Sequence, residues 1–170
     1  MQIHDGLRFS ALVAGAVWLG ASAAVAEDAT AELQDTDGNM VGTVTLHEVP
    51  SGVLLHARLS GLPEGAHAFH VHETGECEPP FTSAGGHYDP EDAAHGIEAE
   101  DGPHAGDMPN IHVPASGELE LEILNTFMEF DDRLFDDDGT SIVIHEGPDD
   151  YVTDPAGDAG ARIACGVIRR

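Results

Sequence analysis

The chain contains no lysine. All six of its basic residues are arginines, set against 32 acids, and the formal net charge over 170 residues is −26. A surface of that sign repels phosphate backbones and anionic lipid, which excludes nucleic acid and membrane surfaces as partners. Aromatic residues are scarce, at 5%. Acidity with few aromatics can signal disorder, but apolar and polar residues alternate here with a regularity that a disordered chain does not need. No stretch sustains a 3.6-residue apolar period, so no long helix is expected, and no repeat or Pro/Ser linker divides the sequence.

Long apolar runs are missing as well. The strongest, residues 9–19 behind Arg8, falls short of the ~20 residues that span a bilayer, and no Lys/Arg cluster follows it. It leads to Ala24-Val25-Ala26, an A-x-A cleavage pattern, so residues 1–26 read as a secretory signal peptide removed after Ala26. Residues 1–26 hold no twin-arginine pair, and no cysteine lies near Ala26 to accept a lipid. Residues 27–170 then form a single domain exported to the periplasm or beyond the cell. Cysteine is limited to Cys77 and Cys165. In an exported protein such a pair reads as one disulfide, with a loop closure that the chain-entropy model values at roughly 4–5 kcal/mol. An acidic, lysine-free composition also fits work in high salt.

What the sequence does have is period two. Val41–Val49 and Val53–Leu59 read as strands joined across Pro50-Ser51-Gly52. Ala66–His72, Glu118–Leu124, Ser141–His145 and Arg162–Ile168 read as further strands, and residues 35–39 and 136–139 as turns. This predicts an antiparallel all-β sandwich or barrel. Two stretches carry no period, Glu73 to about His112 and Glu146 to Ala161. A loop as long as the first is uncommon in a compact domain unless function or bound ligands order it.

The chemistry gathers around those stretches. Ten histidines follow the signal. His70 and His72 lie two apart in a strand-like run, so both imidazoles face one side and can address one ion. His145 ends another such run and can close on the same ion from a neighbouring strand. In the long loop His87, His95, His104 and Asp107 supply three nitrogens and a carboxylate with the spacing H-x7-H-x8-H-x2-D. Four N/O ligands without thiolate suit a closed tetrahedral zinc site.

The runs G-A-H-A-F-H-V-H (65–72), S-A-G-G-H-Y-D-P (83–90), P-H-A-G-D (103–107) and G-D-A-G-A-R-I-A-C-G-V-I (157–168) resemble, in order and spacing, the signatures of copper/zinc superoxide dismutases of the bacterial exported type. The resemblance runs from about Gly42 to Ile168. It implies a Greek-key β-sandwich or flattened barrel, immunoglobulin-like, with long metal-binding and active-site loops. It implies copper on His70, His72, His87 and His145, and zinc on His87, His95, His104 and Asp107, with His87 shared between one copper and one zinc ion. Asp149 matches a carboxylate linking histidines of the two metals, Arg162 an active-site arginine, and Cys77 with Cys165 the family disulfide. His67 resembles a histidine that bonds loop backbone; His47, His56 and His112 read as sheet or loop positions without a ligand role.

The implied reaction is disproportionation of superoxide to dioxygen and hydrogen peroxide, with copper cycling between Cu(II) and Cu(I) and His87 carrying a proton. Three departures from the family pattern stand out, the first being a net charge of −26 that opposes an anionic substrate. Ala68 replaces a usual glycine, and residues 146–161 lack the basic side chains that often guide the anion. A non-catalytic copper domain, a copper-only relative and a zinc-stapled structural domain are competing readings, and each leaves part of the ligand set unexplained. Phe127–Phe130 offers an apolar stretch on which a homodimer could form.

Overall fold

The computed structural model describes residues 28–170, so the expected signal peptide lies outside the described residues. Nine strands follow in order: β1 Asp28–Asp35, β2 Met40–Val49, β3 Gly52–Leu59, β4 Gly65–His67, β5 Phe69–His72, β6 Ile111–Val113, β7 Leu119–Asn125, β8 Ser141–His145 and β9 Arg162–Arg169. Among the described residues the only helical element is a 3₁₀ turn, Thr82–Ala84. Seven strands make one curled antiparallel sheet in the order β5-β8-β9-β1-β2-β3-β7, and β4 pairs with β6. The sequence neighbours β1, β2 and β3 also pair as neighbours, whereas β9 returns to pair with β1, the long crossover of a Greek key.

The predicted strands are present within a residue or two. Val53–Leu59 pairs with β2 in continuous register from Gly42↔Leu59 to Val49↔Gly52. Two elements were not predicted. In β1 two of the three inward positions, beside Leu33, are Ala29 and Ala31, too small to stand out as apolar periodicity, and β6 is three residues long. The predicted strand Ala66–His72 is two strands. Ala68 breaks the run: its N–H donates to Gly147 O (2.8 Å) and its carbonyl accepts from His145 N–H (3.0 Å), so β4 pairs with β6 and β5 with β8. Ala68 itself is fully buried.

Alternation fills the inside of the sheet with Leu33, Val44, Leu46, Val53, Leu55, Phe69, Val71, Ile142, Ile144 and Ala164. β5 and β8 are buried on both faces. Phe69, Val71, Ile142 and Ile144 face this core, which leaves His70, His72, Val143 and His145 on the other side, beneath the loops. A smaller apolar cluster there joins Phe81, Ala84, Val143 and Cys165, with Cys77 packed against it. Cys77 and Cys165 are disulfide-bonded and tie that loop to β9. The stretch Phe127–Phe130 is not an apolar surface as a whole. Met128 is buried and Phe130 packs edge-on against Phe135, which leaves Phe127 exposed.

Candidate metal centre

The long loop is ordered against the free edge of β5. Val71 N–H donates to Gly106 O (2.9 Å), Tyr88 N–H to Val71 O (2.8 Å) and Glu73 N–H to Gly86 O (3.0 Å). These bonds set His72 opposite His87 and His70 opposite Asp107. Gly106 is required for this approach, since a Cβ there would lie 2.2 Å from Val71 O. The loop therefore delivers its ligands beside a strand that already carries two.

Two groups of donors result, each with its ligand atoms within 4.8 Å of one another: His70, His72, His87, His145, and His87, His95, His104, Asp107. In the first, four buried ring nitrogens have no hydrogen-bond partner: His70 Nδ1, His72 Nε2, His87 Nε2 and His145 Nε2. Buried polar atoms are rarely left so, and each unpaired one costs about 1–3 kcal/mol. Four converging on one point describe a coordination site.

In the second group the donors crowd together. Asp107 Oδ1 is 2.7 Å from His87 Nδ1, 3.1 Å from His95 Nδ1 and 3.4 Å from His104 Nδ1, and His104 Nδ1 is 3.4 Å from His87 Nδ1. A tetrahedron with ~2.0–2.1 Å bonds has edges of ~3.3 Å. The donor set and its spacing fit zinc. Asp107 is aimed inward because its Oδ2 accepts from Gly96 N–H (2.9 Å) and His104 N–H (3.0 Å). His87 thus turns Nδ1 to one group and Nε2 to the other.

Burial pushes His87 down to about 4 against the pull of Asp107, and pushes His145 down to about 3, helped by His70. Burial likewise depresses His72 well below its ordinary value, with His87 and Arg162 adding to the shift. These rings are neutral at pH 7, with lone pairs available. Burial opposes ionisation of Asp107, yet the hydrogen bonds from His87 and His95 hold its carboxyl well below the usual range. His95 is raised to about 9: burial opposes the charge, and Asp107 and Asp149 outweigh it.

Asp149 lies between the groups, with Oδ2 2.7 Å from His70 Nε2 and Oδ1 3.1 Å from His95 Nε2. Its neighbour Asp150 turns away and caps Val152 and Thr153. Arg162 donates from Nη1 to Phe81 O (2.7 Å) and from Nη2 to Gly85 O (2.6 Å), and with His145 it lines a cleft of ≈ 340 Å³. His67 places both ring nitrogens on backbone carbonyls, those of His145 (2.8 Å) and Pro63 (3.0 Å).

Sequence reasoning missed two asparagines. The Asn110 side chain pairs with both backbone groups of Asp149, accepting at Oδ1 and donating from Nδ2, each at 2.8 Å. Buried Asn125 donates to Ala105 O (2.8 Å) and accepts from Phe127 and Met128 N–H groups. Nothing local in the sequence separates them from turn asparagines. Gly157 opens the 157–168 run, and its φ of +67° fits a position where a Cβ would sit 2.0 Å from Asp149 Oδ1.

Comparison with known proteins agrees with this geometry. Residues 40–168 match the family model for copper/zinc superoxide dismutase. A Cu-Zn superoxide dismutase of Aquifex aeolicus is 48% identical over 170 residues, covering 95% of this chain and 99% of the relative. One from Caulobacter vibrioides is 45% identical over 148 residues, covering 83% and 85%. Among solved structures, a superoxide dismutase-like protein from Bacillus subtilis superposes with a TM-score of 0.75 at 34% identity, covering 81% of this chain and 96% of that one. The Cu/Zn superoxide dismutase of Brucella abortus gives 0.72 at 32% identity, covering 84% and 100%. With a family model spanning most of the chain, relatives this similar and two donor groups of the right chemistry, the chain belongs to the copper/zinc superoxide dismutase family.

Proposed function

We propose that the protein disproportionates superoxide, with copper on His70, His72, His87 and His145 and zinc on His87, His95, His104 and Asp107. The observation that carries this is the four unpartnered, buried imidazole nitrogens of the first group. A domain that merely resembled the family would have no need to sustain them. Copper, when bound, supplies the one-electron redox cycle.

The chain's own residues do the rest. Arg162, pinned through two of its nitrogens, offers a fixed positive charge at the cleft shared with His145 and orients a small anion there. His87 Nε2 takes up one proton and returns it to the reduced substrate, and solvent supplies the other. Two superoxide ions and two protons leave as dioxygen and hydrogen peroxide. Asp149, on the Nε2 atoms of His70 and His95, holds those ligand rings and raises their basicity. Metal analysis together with a superoxide assay on wild type and His145→Ala tests the reading. Both metals bound with activity only in the wild type is the expected result, and a metal-loaded but inactive wild type overturns it.

Export to the periplasm, with residues 27–170 as the mature single domain, completes the proposal. It is supported by the A-x-A pattern at Ala26 and by the disulfide, which suits an oxidising compartment. The mass of the protein recovered from the cell envelope fraction checks it.

A further inference from the structure

A second pair of imidazoles stands on the outer face of the sheet, on β2 and β3, well along the strand order from β5 and β8. His47 is in register with Leu54, and His56 with Thr45, so the two are diagonal neighbours. They alternate with the buried residues Leu46, Leu55 and Ala57 and so face away from the core. Their ring centroids are 5.1 Å apart, with the planes at 85°.

Each ring is backed by a carboxylate from the strand beyond it. Asp28 Oδ1 on β1 lies 2.5 Å from His47 Nδ1, and Glu122 Oε1 on β7 lies 3.3 Å from His56 Nδ1. Four adjacent strands thus contribute Asp, His, His and Glu across one face. A carboxylate on Nδ1 fixes that nitrogen as the donor and leaves the lone pair on Nε2. Metal-binding imidazoles carry this same backing. Both carboxylate contacts fall on Nδ1.

We propose that His47 and His56 form an exterior site for a divalent transition metal, Cu(II) foremost, apart from the two buried groups. Imidazole donors favour copper(II) over the other first-row divalent ions. Flanking carboxylates suit a cation and disfavour an anion, and a net charge of −26 raises the local cation concentration. The side chains of His47 and His56 are 33% and 36% exposed, so water completes the coordination and exchange is fast. The bland alternative is two surface ion pairs of little consequence.

Calorimetric titration of CuCl₂ into protein already filled with copper and zinc tests this. One further equivalent is expected in the wild type. His47→Gln and His56→Gln should each weaken it at least tenfold, and Asp28→Asn should weaken it by about tenfold through loss of the backing charge. The result is read as a difference between wild type and variant at fixed buried-site occupancy. It therefore stands whichever way the assignment of the buried groups falls, and superoxide turnover should not change. A wild type that takes up no further equivalent overturns the proposal. So does an extra equivalent that survives in both histidine variants, which marks diffuse binding by the acidic surface.

Discussion

The carboxylate of Asp149 lies 2.7 Å from Nε2 of His70, and its second oxygen is 3.1 Å from Nε2 of His95. One side chain therefore orients a ring in each donor group. Asp149→Asn keeps the shape but removes the charge and one acceptor. Zinc affinity should fall by about 10–100-fold, with a parallel loss on the copper side, measured by competition with a chelator. Unchanged affinity for both metals would show that the carboxylate does not orient the rings.

Gly157 tests the same relationship through the backbone. An added Cβ would lie 2.0 Å from Asp149 Oδ1 and 2.8 Å from His95 Nε2, at a φ of +67° that side chains rarely adopt. Gly157→Ala should lower stability by at least ~1 kcal/mol and weaken zinc binding as Asp149→Asn does. The readouts are a denaturant midpoint and a chelator competition. A variant with wild-type zinc affinity would mean that Asp149 can shift without consequence.

The metal-free protein should be most stable near pH 6.5. His87 and His145 are held down at about 4 and about 3, so between those values and 6.5 the unfolded chain binds more protons than the folded one, and stability falls as pH falls. His95, raised to about 9, acts in the opposite sense: its contribution is complete below 6.5 and is lost as pH rises through about 9. Thermal melts from pH 4 to 9 on chelator-treated protein check both limbs, and a midpoint rising steadily to pH 9 would contradict the assignment.

Salt should slow this enzyme little or speed it. The cleft shared by His145 and Arg162 also presents Asp154 and Asp158, and the whole chain is acidic. Raising ionic strength from 0.1 M to 1 M shortens the Debye length from ~10 Å to ~3 Å. That screens the distant repulsion while Arg162 acts at contact range. The second-order rate of superoxide removal, followed across that range, should be flat or rising. A steep fall would mean that long-range attraction dominates.

Removing the disulfide should cost more than stability. Cys77 and Cys165 are 88 residues apart, and the loop-closure model assigns such a cross-link roughly 4–5 kcal/mol. The loop it ties down also carries Phe81 and Gly85, whose carbonyls hold Arg162. Cys165→Ser should therefore lower both the unfolding midpoint and kcat/KM, while bound metal changes less. A variant that is destabilised yet kinetically normal would uncouple the two.

Much of this is legible in the sequence. Strands such as Val53–Leu59 announce themselves because one face is buried and Leu or Val fills it at every second place. β1 did not, because Ala29 and Ala31 bury little apolar surface and alternate without contrast. The split at Ala68 depends on hydrogen bonds to residues 77 and 79 positions away, which no local pattern encodes. The donor sets could be grouped from spacing and strand geometry, but the sharing of His87 rested on family resemblance, and Asn110 acts on Asp149 across 39 residues.

The loop pressed along β5 has one more consequence. β5 ends its sheet, and its sequence, Phe-His-Val-His, is buried on both faces. Gly106 and Tyr88 occupy the backbone groups of Val71 that would otherwise be offered to another chain. Whatever holds His87, His95 and His104 together thereby also closes an edge onto which foreign strands could stack. Stripping the centre of its ions should thus turn a metalloprotein into an aggregation template, with solubility lost before the fold is.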